Sequence, residues 1–190
     1  MYLILGLGNP GPEYDRTRHN AGYLVVDALA GKHRINISKH KYNSHYGDGE
    51  IDNCRVVISK PLTYMNESGK AAKAILNALD IPLENVIVVH DDIDIPLGKI
   101  KIKHEGGDAG QRGVRSLINT LHSDRFTRVR VGIGRPANQN DDISDYVLSP
   151  FGKEEREQFR DVVEQAVQLI EQTLRNLNNR DKAEKGEAAS

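Results

Sequence analysis

The stretch Gly6-Leu7-Gly8-Asn9-Pro10-Gly11, directly behind the apolar run Tyr2-Leu3-Ile4-Leu5, constrains this chain more than any other feature. An apolar run bounded by glycine reads as a buried strand. The glycine spacing matches the G-x-G-x-x-G turn that holds a dinucleotide at a helix N-terminus. The residues between the glycines argue against that use. Pro10 and Pro12 lack N–H donors, and Pro10 disfavours helical geometry at Asn9. The acidic residue expected about twenty positions on, at the end of a second strand, is missing, because Asp27 falls inside a helical pattern. The turn instead presents an amide, Asn9, ahead of the polar cluster Arg16-Thr17-Arg18-His19-Asn20.

The remaining periodicity alternates strand and helix. Strands are predicted at 2–7, 86–89, 99–103 and 129–134, and a hairpin at 44–50 and 55–60 around Asp52-Asn53. Helices are predicted at 20–29 with Asn20 as N-cap, at 68–79, at 110–121, and as a long amphipathic element over 153–174. Val86-Ile87-Val88-Val89 is β-branched without interruption, as in a strand covered on both faces. The order implies an α/β fold: a single domain with a mixed, mostly parallel sheet flanked by helices on both faces. That domain spans 1–177, and 178–190 reads as a polar, disordered tail.

Charge and cysteine content narrow the class. Lys and Arg total 26 against 27 Asp and Glu, a net charge of −1, so nucleic-acid contact would need a local patch. The lone cysteine, Cys54, excludes an intrachain disulfide and suits a reducing compartment as a small apolar strand residue. With neither a signal-peptide pattern nor a long apolar run, the expectation is a cytoplasmic, monomeric protein without membrane association or an obligate protein partner.

Three polar clusters follow predicted strands, where open α/β folds bind ligands. They are Asn9 with His19; Thr63-Tyr64-Met65-Asn66-Glu67-Ser68-Gly69-Lys70; and His90-Asp91-Asp92-Ile93-Asp94. A histidine beside a buried carboxylate is a general base, and an asparagine holds a carbonyl or a developing oxyanion. Plain structural readings stand beside these: a solvated loop histidine, Asn66 as a helix cap, Asp91 holding a turn. Metal ligation by His90, Asp91, Asp92 and Asp94 is disfavoured, because alternating strand side chains do not converge on one ion. Between 99 and 135 lie Lys99, Lys101, Lys103, Arg112, Arg115, Arg125, Arg128, Arg130 and Arg135, against Glu105, Asp108 and Asp124. This local excess suits a phosphate backbone or, equally, an ordinary solvated face.

These blocks resemble the signatures of bacterial peptidyl-tRNA hydrolases. The matching segments, in the family's order, are Gly6-Leu7-Gly8-Asn9-Pro10-Gly11-Pro12-Glu13-Tyr14, Thr17-Arg18-His19-Asn20-Ala21-Gly22, Thr63 to Lys70, and His90-Asp91-Asp92-Ile93-Asp94-Ile95-Pro96. Arg128-Val129-Arg130-Val131-Gly132-Ile133-Gly134-Arg135-Pro136 adds a fifth. The resemblance implies hydrolysis of the ester joining a peptide to the terminal ribose of tRNA, with neither metal nor organic cofactor. It implies His19 as base, Asp91 as its partner, Asn9 and Asn66 at the peptide end, and Tyr14 and Tyr64 beside them. Lys101, Lys103 and Arg130 are the expected tRNA contacts. A non-catalytic RNA-binding role, as in splicing-factor-like members of the family, is the alternative; it is marked by damage to the catalytic set, which is present here.

One block departs from the family pattern. Where Gly-Gly-His-Asn-Gly is usual, this chain has Ala109-Gly110-Gln111-Arg112-Gly113. Arg112 replaces the asparagine that contacts substrate. Gln111 supplies an amide but, on a helix, would point about 100° away. Arg112 is expected to meet either the oxyanion or a tRNA phosphate, with Arg115 one turn along the same face favouring phosphate. The segment 141–151 is expected to fold over the cleft as a mobile wall.

Overall fold

The computed structural model describes residues 1–187. Seven strands form one sheet in the order β2-β3-β4-β1-β5-β7-β6. They are β1 (Tyr2–Gly6), β2 (Lys39–Lys41), β3 (Ser44–Ile51), β4 (Cys54–Pro61), β5 (Val86–Asp92), β6 (Ile100–Lys103) and β7 (Thr127–Gly132). The central strands β4, β1, β5 and β7 are parallel, while the pairs β2–β3, β3–β4 and β6–β7 towards the two edges are antiparallel.

Strand alternation divides the core into two layers. Ile4, Ile58, Ile87, Val89, Val129 and Val131 pack beneath α1 (Ala21–Lys32) and α5 (Lys153–Glu187). Leu3, Leu5, Val57, Val86 and Val88 pack beneath α2 (Ser68–Leu79) and α3 (Arg112–Leu121). Successive strand side chains point to opposite faces, so one apolar run serves both layers. This is the expected α/β architecture.

The hairpin turns where expected, with Asp52 and Asn53 both at positive φ, as a two-residue turn requires. Helix α2 has the predicted bounds and stops at Asp80 in a left-handed conformation. Two elements were not anticipated: the fully exposed β2, and the short α4 (Ile143–Val147), which buries none of its residues. The helix over 153–174 also continues further. Residues 178–187, expected as disordered tail, extend α5, with Leu177 buried and Asp181 accepting a 2.8 Å bond from the Tyr2 hydroxyl. The rest of the predicted tail, 188–190, lies outside the described residues.

The glycines of the opening motif serve helix packing. A Cβ on Gly6 would lie 2.6 Å from the Gly22 carbonyl oxygen, and one on Gly22 would lie 2.3 Å from that of Val89. Side-chain-free positions on both elements let α1 cross directly over the ends of β1 and β5, which carries His19 to the mouth of the sheet. Gly11, at φ 118°, then makes the turn that the two prolines frame.

Candidate active site

The chain leaves β1, goes to β4 on one side, and returns through α2 to β5 on the other. The carboxyl ends of these three parallel strands therefore flank a topological switch point. All three polar clusters arrive there.

Asn9 follows β1 and is buried. Its backbone N–H donates to Asn20 Oδ1 at 2.8 Å, and its carbonyl accepts from Asn20 Nδ2 at 3.0 Å. Asn20 was expected to cap α1; it occupies that position but makes no side-chain cap bond, because its amide is spent on Asn9. The Asn9 side chain in turn accepts from the Met65 backbone N–H at 2.7 Å. The loop after β1 is thus stitched to the loop after β4. Asn9 Oδ1 is occupied, which leaves its Nδ2 hydrogens as the donors available to a ligand.

His19 stands in a short 3-10 turn, Arg18–Asn20, that leads into α1. Its Nδ1 lies 2.9 Å from Asp91 Oδ2 near the end of β5, and both side chains are nearly buried. An ionised Asp91 accepts the Nδ1 proton and fixes the tautomer, leaving Nε2 as the basic nitrogen. The second Asp91 oxygen accepts from Gln111 Nε2 at 2.9 Å. Gln111 was expected to point away from the site on a helix. It is instead the N-cap of α3, with extended φ −75° and ψ 114°, so helical phase does not govern its direction. Neighbouring residues on β5 diverge: His90 bonds the Asp91 carbonyl through Nδ1 on the buried side, and Asp92 pairs with Arg130 at 2.8 Å.

A cleft of about 840 Å³ opens over the pair. Asn9, His19, Tyr64, Asn66, Asp91, Gln111 and Arg112, all singled out in the sequence, line it. Tyr14 does not; its backbone carbonyl closes the turn back to Thr17. The far side is the expected wall, built from Asn140 to Ser144 with Val147 and Leu148. Phe151, expected in that wall, is buried in the core against Phe159. Sequence reasoning also missed the group that anchors the wall. Arg18 donates to the carbonyls of Ser149 and Pro150, to Ser149 Oγ, and to both oxygens of Glu155, beneath the Tyr146 ring. Its only signal was its place beside His19.

The basic face is smaller than its sequence count. Arg128 is fully buried, donating to the carbonyls of Gly107 and Asp124. Arg115 is held by Asp108, whose carboxyl it keeps below the usual range. Arg130 and Arg135 are paired with Asp92 and Asp94. Lys101 lies opposite Arg130 across the antiparallel pair, and Lys103 opposite Arg128, so these four share one sheet face outside the cleft. Among the described residues no group of three or more His, Cys, Asp or Glu is placed to hold a metal ion. None of the described helices is long and apolar enough to cross a membrane.

Comparison with known proteins agrees with this geometry. The profile of the family described as peptidyl-tRNA hydrolase matches residues 3–188. The peptidyl-tRNA hydrolase of Carboxydothermus hydrogenoformans is 48% identical over 170 residues, 90% of each chain. That of Bacillus subtilis is 41% identical over 174 residues, 92% of each. Among solved structures, the peptidyl-tRNA hydrolase of Acinetobacter baumannii superposes with a TM-score of 0.87 at 32% identity, covering 95% of this chain and 91% of that one. With its His–Asp pair at the mouth of a parallel sheet and these likenesses over nearly its whole length, this chain belongs to the peptidyl-tRNA hydrolase family.

Proposed function

We propose that this cleft cleaves the ester between a peptide, or an N-blocked aminoacyl group, and the terminal ribose of tRNA by direct attack of water. The observation that carries this reading is the 2.9 Å contact of His19 with Asp91 at the floor of a cleft that Asn9 and Asn66 also line. Neutral His19, oriented through Nδ1, takes a proton from water at Nε2 as the oxygen attacks the ester carbonyl. Asp91 stabilises the imidazolium that forms. The exposed Asn66 amide meets the tetrahedral oxyanion, and the Nδ2 hydrogens of Asn9 hold a peptide carbonyl. A peptide bond supplies that carbonyl and a free α-amino group does not, which is the basis for sparing aminoacyl-tRNA. His19 then returns its proton to the departing ribose oxygen, releasing peptide and free tRNA.

Tyr64, 59% exposed at the cleft rim, provides a stacking surface beside the scissile ester. Arg112, exposed in the first turn of α3, supplies a cation at the same rim. Lys101, with Lys103 and Arg130 on the same sheet face, meets the tRNA backbone.

The test is release of peptide from an N-acylated aminoacyl-tRNA beside the same tRNA with a free amine. The wild-type chain should cleave only the first. His19→Ala should lose at least about 100-fold in kcat with fold and tRNA affinity intact, and Asp91→Asn should lose less. If His19→Ala retains more than about half the wild-type rate, the general-base reading fails.

A further inference from the structure

Gln111 touches the reacting pair, yet the steps above give it no task. We propose that Gln111 is a positioning residue for the reaction: its amide holds one oxygen of Asp91 so that the other stays aligned on His19. This rests on His19 acting as the base. The torsion that turns a carboxylate is broad and roughly two-fold, so a single bond to His19 would leave Asp91 free to rock. Here each oxygen has its own donor, His19 Nδ1 on Oδ2 and Gln111 Nε2 on Oδ1, both at 2.9 Å.

Gln111 is itself held. Its Oε1 accepts from the Val114 backbone N–H at 2.8 Å, and its Nε2 also lies 3.3 Å from Met65 Sδ. These partners settle which end of the amide faces Asp91. A flipped amide would set its oxygen against a carboxylate and its NH2 against an N–H, losing both bonds. Asp91 is thereby tied to the N-terminus of α3 and to the loop that also holds Asn9.

The substitution has a chemical consequence. The family's usual residue at this position is histidine, which titrates within the working range, whereas an amide does not. The other titratable or charged groups around the pair are His90, bonded to the Asp91 backbone carbonyl; Asp92, neutralised by Arg130; Arg112 on α3; Asp141 and Asp142 in the wall; and Arg18, held by Glu155. Among the described residues none of these forms a bond to either carboxylate oxygen of Asp91.

Two variants of the full chain separate positioning from helix capping. Gln111→Glu keeps the size and the acceptor for Val114 but removes the donor and sets a second carboxylate against Asp91. Gln111→Met keeps the volume and removes both bonds. Each should lower kcat by about tenfold or more with KM within about twofold. In Gln111→Glu the added negative charge favours the imidazolium, so the acid limb of kcat/KM should move to higher pH by about half a unit or more. The decisive comparison is the pH limb in Gln111→Glu against its thermal melt. A shifted limb with an unchanged melt supports positioning. A limb within about 0.2 unit of wild type, or a kcat loss in Gln111→Met alone, overturns it and assigns Gln111 to capping α3. His19→Ala measured alongside keeps the two readings apart: loss of activity there with wild-type behaviour in both Gln111 variants sinks only this inference.

Discussion

The floor of the cleft and its wall are built on opposite principles. On the floor, Asn9, His19, Asn20 and Asp91 are buried at the ends of parallel strands, each bonded to another member of the set. Across the cleft, Asn140 to Ser144 are exposed, and α4 buries no residue. The wall is attached through the Arg18 bonds, the Tyr146 hydroxyl to the Ile133 carbonyl at 2.8 Å, and Asp142 capping its own helix. The proton transfer proposed for the floor requires groups held before substrate arrives, whereas a wall proposed to meet varied peptides gains from low local stability.

The sharpest way to break this comparison is Asn20→Ala. It leaves the buried N–H and C=O of Asn9 unpaired, so stability should fall by about 2 kcal/mol and kcat by at least about tenfold. Denaturant melts and single-turnover kinetics would show it. Wild-type turnover in this variant would mean that the floor needs no such clamp.

Arg18→Met is the matching change on the wall side, keeping the apolar stem while removing the guanidinium. KM for peptide-bearing substrates should rise by about fivefold with kcat within about twofold, and hydrogen exchange over 142–150 should quicken. If kcat falls as it does for Asn20→Ala, floor and wall are one mechanical unit.

Outside the cleft, replacing Lys101 and Lys103 together should raise KM for full tRNA substrates and flatten its salt dependence. Each lost phosphate contact removes about 0.7 to 0.9 from the log–log slope. Short substrates without the tRNA body should be cleaved as before; equal loss on both would make this face structural.

At neutral pH the smallest effect concerns His90, behind the floor. Burial lowers its pKa, with Arg130 adding to that, against the opposing pull of the Asp91 carbonyl bond and the charges of Asp91 and Asp92. The unfolded chain takes up this proton near pH 6.5, so below about that pH the unfolded state binds more protons and stability falls. His90→Phe should flatten that fall by up to about 1.4 kcal/mol per pH unit, read from melts between about pH 7.5 and 5. The same acid loss in both proteins would place the sensitivity elsewhere.

Much of this was legible along the chain, for local reasons. Residues 2–7 and 86–89 announce buried strands because two-sided burial demands unbroken apolar runs, and α2 carries its own stop at Asp80. The residues expected at the reaction centre, Asn9, His19, Asn66 and Asp91, were readable as types that do acid–base and oxyanion chemistry after strands. By contrast, β2 is three exposed residues and α4 buries none, so neither leaves a hydrophobic period to read.

What only the tertiary structure decided is who bonds to whom. Asn20 has the sequence credentials of a cap and spends its amide on Asn9; Gln111 was judged by helical phase and stands just outside the helix. Arg128 counted as surface charge and lies inside, and residues 178–187 looked too polar to order yet continue a helix whose Asp181 meets Tyr2. Periodicity records how much apolar surface a segment buries. The partner of a polar group is set by segments distant in sequence, and its bond is made only when the fold brings them within about 3 Å.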